Sequence, residues 1–202
     1  HHENEIAQSV GATGKPFSLH WMHCAFLTVE GEKMSKSLGN LYTLQDVEAK
    51  GFPPSVVRYA LLSGHYRQQL NFAFHGLGAH RSAIGKLERA ISRMLRSAGL
   101  EPDQFAGLAE VPFTGEWTNF AAAWEALTDD LNTPAALGEI FRVIRSVADA
   151  DPDPESAKAS LRELATIAYA LGLGIYAGSD GSAPDAPPNV RKLAETRWDA
   201  KS

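Results

Sequence analysis

Between residues 72 and 171 the apolar side chains recur three and four apart, the spacing of helices that each bury one face. Leu77, Ile84, Leu87, Ile91 and Leu95 form one stripe, on a helix expected to start near Asn71 or Phe72. Phe120, Trp124, Leu127 and Leu131 form a second, and Leu137, Ile140, Phe141, Ile144 and Val147 a third. Leu161, Leu164, Ile167 and Leu171 form the last. Thr133-Pro134 and Asp153-Pro154 each pair a capping residue with a first-turn proline, which marks where the last two helices begin. Amphipathic helices with short links bury their stripes most simply as an antiparallel bundle.

The first 70 residues read differently. Residues 1–10 suit a short helix, and residues 17–29 are rich in aromatic and β-favouring side chains and end at a Glu30-Gly31 turn. A polar loop over residues 32–40 follows. Thr43 with Asp46 resembles a capping box that opens a short helix stopping at Gly51. Pro53-Pro54 start another, over residues 55–62, with Gly64 as its stop. The expected fold is therefore mainly α with a small α/β part. Residues 177–188 have the Gly, Ser, Pro and Asp content of a flexible linker, and a further helix is expected from residue 189.

Of 202 residues, 44% are hydrophobic and 21% charged, ordinary globular usage that excludes a chain-long disordered or collagen-like polymer. The one cysteine, Cys24, excludes an intrachain disulfide and points to a reducing, cytoplasmic setting. Apolar runs are too short to span a bilayer, and no secretory signal opens the sequence. The chain starts His1-His2-Glu3-Asn4-Glu5 without a Met and continues densely, which reads as a piece cut from a longer polypeptide. The net charge of −5 is uneven: +4 over residues 1–100, −10 over 101–180 and +1 over 181–202. A polyanion would be drawn to the first half and the extreme C-terminal segment, and repelled by the middle.

The most informative stretch is Lys33-Met34-Ser35-Lys36-Ser37, followed by Leu38-Gly39-Asn40. Two lysines three apart, with small hydroxyl residues between them and a glycine after, can converge on a polyphosphate. Their ammonium groups offset the charge that develops on a leaving pyrophosphate, while hydroxyls and amides donate hydrogen bonds. A generic lysine pair in a polar loop is otherwise a solvated surface. His1 and Glu5 are four apart, so on a helix they share a face, the spacing of an ordinary surface pair.

The string Lys33 to Ser37 resembles the signature loop of class I aminoacyl-tRNA synthetases, and its surroundings resemble the cysteinyl-tRNA synthetase family. These are His1-His2-Glu3-Asn4-Glu5-Ile6-Ala7-Gln8, Trp21-Met22-His23, Glu32 to Asn40, Val57-Arg58-Tyr59, Ser63-Gly64-His65-Tyr66-Arg67 and Asp129-Asp130-Leu131-Asn132-Thr133-Pro134. The resemblance is dense over residues 1–72 and sparser beyond. It implies ATP-dependent activation of L-cysteine to cysteinyl-adenylate, with Mg2+, and transfer to the 3′ end of tRNA(Cys). Lys36 would face the pyrophosphate side of ATP with Lys33 second, and Met34, Ser35 and Ser37 would complete the ATP loop. Ser35, Ser37 and Gly39 would shape it.

The same resemblance implies that His1 and Glu5 bind Zn2+ together with two cysteines that this chain lacks, Cys24 being read as a packing residue. Zinc would prefer the substrate thiolate to a serine hydroxyl. A His-x-Gly-His string of the family is also missing, so the chain is expected to carry about half the active site and to be inactive alone. A monomer with no membrane association is expected. The implied organisation is the tail of a Rossmann-type catalytic domain with the lysine loop (1–40), a connecting helical segment (41–70) and a bundle resembling the anticodon-binding domain (71–176). The linker (177–188) and the start of a tRNA-recognition region (189–202) complete it.

The remaining constellations are weighed on their chemistry. Trp21, between His20 and His23, is expected in a core strand. His65-Tyr66-Arg67 is expected to pack at the junction of core and bundle, and Asp129 and Asp130 to act structurally at a helix start. Lys86, Arg89, Arg93 and Arg96 recur on the side of one helix away from its apolar stripe and are candidates for tRNA phosphate contacts, a solvated face being the alternative. Two rivals share parts of the pattern: a cysteine ligase of mycothiol biosynthesis, with a similar lysine loop, and a non-catalytic tRNA-binding helical module.

Overall fold

The computed structural model describes residues 2–110, 113–149 and 152–175. The fold is mainly helical with a small three-stranded sheet, as the apolar patterning requires. In chain order the elements are α1 (Glu3–Thr13), β1 (Leu27–Val29), β2 (Glu32–Lys33), α2 (Leu44–Ala49), α3 (Pro54–Leu62) and β3 (Leu70–Phe72). Then come α4 (Leu77–Ala98), α5 (Ala121–Thr128), α6 (Thr133–Asp149) and α7 (Pro154–Leu171). The expected linker at 177–188 and helix from residue 189 lie outside the described residues.

Local chemistry accounts for most element boundaries. Thr43 and Asp46 form the expected reciprocal capping box on α2, satisfying donors the first turn leaves without partners. Hydrogen bonding by the Thr43 hydroxyl and amide holds the Asp46 carboxyl below its usual value. Asp153 accepts from the amides of Glu155 and Ser156, and Pro154 takes the first turn of α7. At α6 the cap is Asn132, not Thr133: Asn132 Oδ1 accepts from the Ala135 amide at 3.2 Å. Thr133 is drawn away because its hydroxyl donates to the Leu62 carbonyl at 2.7 Å, tying α6 to the end of α3.

The core is the bundle. α4 packs on α7, α5 on α6, and α3 and α6 lie against α4. Ile91, Met94, Leu161 and Ile167 are completely or almost completely buried between them, with Leu87, Leu95, Phe120 and Ile140. The stripe containing Phe120 ends earlier than expected. α5 stops at Thr128, and Leu131, at φ 53 in the following turn, is half-exposed. α3 docks on the end of α7, where Arg58 Nε donates to the Leu171 carbonyl at 2.5 Å. The guanidinium lies over Gly172 (φ 57), where a Cβ would fall within 2.6 Å of it, so glycine is required both by its left-handed backbone and by this approach.

Two expectations about strands are corrected. Within residues 17–29 only Leu27–Val29 is a strand, and Leu19 and Phe26 are 84% and 85% exposed. A strand needs a neighbour for its backbone groups and a surface for its apolar face, and no strand among the described residues pairs with residues 17–26. Trp21, expected in a core strand, is accordingly half-exposed. The second correction is the start of α4. Residues 70–72, read as its beginning, pair in parallel with β1 in the register Leu27↔Leu70 and Val29↔Phe72, and the helix starts only at Leu77 after a single 3-10 turn.

Candidate active site

The lysine loop hangs from the β1–β2 hairpin. Glu30 and Gly31 both have positive φ (52 and 82), the geometry of a two-residue turn that matches strand twist. The turn is pinned to β3 and the chain beyond it: the Gly31 amide donates to Asn71 Oδ1 at 2.8 Å, and the Phe74 amide to Glu30 Oε1 at 2.7 Å. Lys33 closes β2, so the start of the loop has a fixed origin.

From there the loop is folded by its own polar groups. Asn40 Oδ1 accepts from the Ser35 amide at 2.8 Å while Asn40 Nδ2 donates to the Lys33 carbonyl at 3.1 Å. The Leu38 amide donates to Ser35 Oγ, the Ser35 and Ser37 hydroxyls lie 3.2 Å apart, and the Gly39 amide returns to the Lys36 carbonyl at φ 64. Met34 is half-buried against the core and anchors the loop from beneath. Lys33 and Lys36 are exposed, and among the described residues neither ammonium group has an ion-pair partner. The arrangement presents two cations and adjacent hydroxyls to solvent, suited to a polyphosphate. Asn40, the residue that staples the loop, was not singled out as a shaping residue from the sequence. In the sequence it only closed the polar loop over residues 32–40.

The zinc donors are a different matter. His1 lies outside the described residues. Glu5 is exposed on α1, with its carboxylate 3.9 Å from His2 Nδ1. Among the described residues no group of three or more His, Cys, Asp or Glu side chains could hold a metal ion. One carboxylate and one imidazole fall short of a tetrahedral zinc shell, so the residues present do not by themselves fit the ion. Cys24 is exposed, which corrects its expected packing role; the stretch around it has no sheet to pack into. His2, Trp21 and His23 stack on one another instead, with ring centroids 5.5 to 6.1 Å apart.

On the bundle, Lys86, Arg89, Arg93 and Arg96 are all exposed along α4, opposite Ile84, Leu87, Ile91 and Leu95, which are buried. The first three of these cations line a cleft of about 580 Å3 between α4 and α6. Arg145 of α6 joins them there, over a floor that includes Tyr59, Ala83 and Phe141. Burial pushes the Tyr59 phenol above its usual value. Arg145 was missed because its approach to α4 depends on how the helices pack.

Asp130 is not a catalytic carboxylate. It sits in the α5–α6 turn and accepts from Arg67 Nε at 2.6 Å, Arg67 Nη2 at 3.0 Å and the Tyr66 hydroxyl at 2.5 Å. The Arg67 hydrogen bonds, then that of Tyr66, hold its carboxyl down at about 2. The structural role expected of this string, and of Tyr66-Arg67 at the junction, is what these contacts describe.

Comparison with known proteins matches two segments of the chain to known families. Residues 1–81 match the family of tRNA synthetases class I (C) catalytic domains, and residues 124–175 match the DALR domain. A cysteine–tRNA ligase of Opitutus terrae is 45% identical over 202 residues, covering all of this chain and 38% of that protein. One from Solibacter usitatus is 47% identical over 148 residues, 73% of this chain and 30% of its own length. One from Pseudomonas aeruginosa PAO1 is 35% identical over 210 aligned positions, all of this chain and 42% of that protein. The chain thus spans about two fifths of the length of the relatives that it matches from end to end. With a class I catalytic segment and a DALR domain in that order, and similarity to cysteine–tRNA ligases along its whole length, the chain belongs to the cysteine–tRNA ligase family of class I synthetases.

Proposed function

We propose that the polypeptide carrying this chain activates L-cysteine with ATP and transfers it to tRNA(Cys). The observation that carries this reading is the loop of residues 33–40, folded by Asn40 so that Lys33 and Lys36 project without ion-pair partners among the described residues. The cysteine carboxylate attacks the α-phosphorus of ATP, the bond to the bridging oxygen breaks, and negative charge accumulates on the departing pyrophosphate. Lys36 meets that charge, with Lys33 beside it. The Ser35 and Ser37 hydroxyls donate to phosphate oxygens, and Met34 keeps the loop seated. Charge stabilisation that grows as the bond breaks lowers the barrier more than it tightens binding. Mg2+ would accompany ATP and neutralise its phosphates.

A zinc ion would need donors beyond His1 and Glu5. The proposed organisation keeps residues 1–40 as catalytic segment, 41–70 as connector and 71–176 as bundle, with the linker and recognition region after it. Lys86, Arg89 and Arg93, with Arg96 on the next turn, would meet tRNA phosphates. No helix of the described residues is long and apolar enough to cross a membrane. The reaction is proposed for the cytoplasm, by a monomer.

Cysteine-dependent exchange of radiolabelled pyrophosphate into ATP by the complete polypeptide tests the first half-reaction, and charging of tRNA(Cys) transcript the second. Exchange with cysteine and not with serine, followed by charging, is expected. Exchange without charging, with cysteine passing instead to an amino sugar, would favour the mycothiol-type ligase; absence of exchange would leave only a binding module.

A further inference from the structure

We propose that Asp130 is a positioning residue for the lysine-loop reaction: from the bundle it clamps Tyr66 and Arg67, and through them β1 and β3, the two strands that hold the β1–β2 hairpin from which the loop hangs. The inference rests on the functional reading above and deepens it.

The sheet under the loop is small and poorly supported at its entry. Residues 17–26 lie outside it, so β1 has little to hold its N-terminal end. That end is held by one backbone bond, from the Ala25 amide to the Tyr66 carbonyl at 2.7 Å, two residues before β1 begins. β3, the parallel partner of β1, begins three residues after Arg67. Residues 66 and 67 therefore control both strands, and Asp130 controls residues 66 and 67.

The grip is directional. The Arg67 guanidinium meets the carboxylate in a bidentate pair, with Nε and Nη2 each donating to a different oxygen, a geometry that fixes orientation. The same guanidinium lies 5.0 Å over the Tyr66 ring, whose hydroxyl donates to Asp130 Oδ1. His65 Nε2 stands 3.9 Å from Oδ2. Asp130 and Leu131 adopt left-handed backbone in succession, φ 54 and 53, a conformation that costs a non-glycine residue free energy and persists where the surroundings impose it. The Thr133 hydroxyl bond to the Leu62 carbonyl holds the same turn against α3. Partly exposed ion pairs add little to stability, so this one matters for where the loop is held rather than for whether the chain folds.

Asp130→Asn in the complete polypeptide should lower kcat for cysteine-dependent pyrophosphate exchange by about tenfold, since small misplacements of reacting groups are costly. The KM for cysteine should be nearly unchanged, and the melting temperature should fall by no more than a few degrees, since an exposed ion pair adds little to stability. Combined with Arg67→Gln, the loss should be no larger than that of the worse single variant, because both break the same clamp. Tyr66→Phe removes one hydrogen bond and leaves the ion pair; it should lower kcat by about threefold and carries the test if Asp130→Asn does not fold. Folded variants with the parent's kcat, or losses that multiply in the double variant, overturn the inference alone. A parent polypeptide that exchanges no pyrophosphate overturns the functional reading and this inference with it.

Discussion

Glu163 of α7 accepts both the backbone amide and the hydroxyl of Thr118, at 2.8 and 2.6 Å, while its side chain is almost wholly buried. Its second oxygen takes the Phe120 amide at 2.8 Å. One carboxylate thus satisfies the donors of the irregular segment that leads into α5 and pins it to α7. Glu163→Ala leaves those donors buried without partners and opens a cavity, which should cost about 3 kcal/mol of stability. Urea denaturation of parent and variant measures it, and a loss below about 1 kcal/mol would mean that water replaces the carboxylate.

Acid should loosen the junction of catalytic segment and bundle through Asp130. Folding lowers its pKa from 3.8 to about 2, so it contributes stability that is present above the unfolded value and lost as pH falls through the folded one. The melting temperature of the parent should therefore fall more steeply between about pH 4 and 2 than that of Asp130→Asn. Asp46 and Asp153, also held below their usual values by capping hydrogen bonds, titrate in both proteins and cancel in the difference. Parallel acid limbs would count against the clamp's contribution.

Lys36→Ala in the complete polypeptide should slow adenylate formation by about a hundredfold while leaving the KM for cysteine within about twofold, as expected for charge that acts when pyrophosphate departs. Lys33→Ala should have a smaller effect. Pyrophosphate exchange at the parental rate in Lys36→Ala would remove Lys36 from its proposed role.

Asn40→Ala should lower kcat without removing either lysine. It deletes the amide that bridges the Lys33 carbonyl and the Ser35 amide, so the ammonium groups remain but are no longer held in register. A loss of about tenfold in pyrophosphate exchange, with an unchanged melting temperature, is expected. Equal loss in Asn40→Asp, which keeps the acceptor for Ser35 but not the donor to Lys33, would assign the role to the donor half of the amide.

Converting Lys86, Arg89, Arg93 and Arg145 to Gln should weaken cognate and non-cognate tRNA about equally and reduce the salt slope of binding by about 3, as loss of phosphate contacts does. Arg96, outside the cleft, should change the slope less. Filter binding across a salt series reads both. An unchanged slope would return α4 to a solvated helix face.

The sequence alone was enough for what is decided within a few residues. The Thr43–Asp46 box and the Asp153-Pro154 start are satisfied by neighbours two or three positions away, and the stripes of α4, α6 and α7 recur every three or four residues, so both are written directly in spacing. The lysine loop was legible for the same reason, as a contiguous string whose chemistry sits in its own side chains.

Tertiary structure decided the rest, because those outcomes depend on groups distant in the chain. Residues 17–26 have the composition of a strand, but a strand forms only when a neighbour takes its hydrogen bonds, and β3 reaches no further than Leu27 on β1. Asp130 looked like a helix-start residue until folding brought Tyr66 and Arg67 to it across 64 and 63 positions. Arg145 joins the α4 cations only because α6 packs on that side. Periodicity specifies which face of a helix is buried, and the docking of one buried face on another then determines which exposed charges become neighbours.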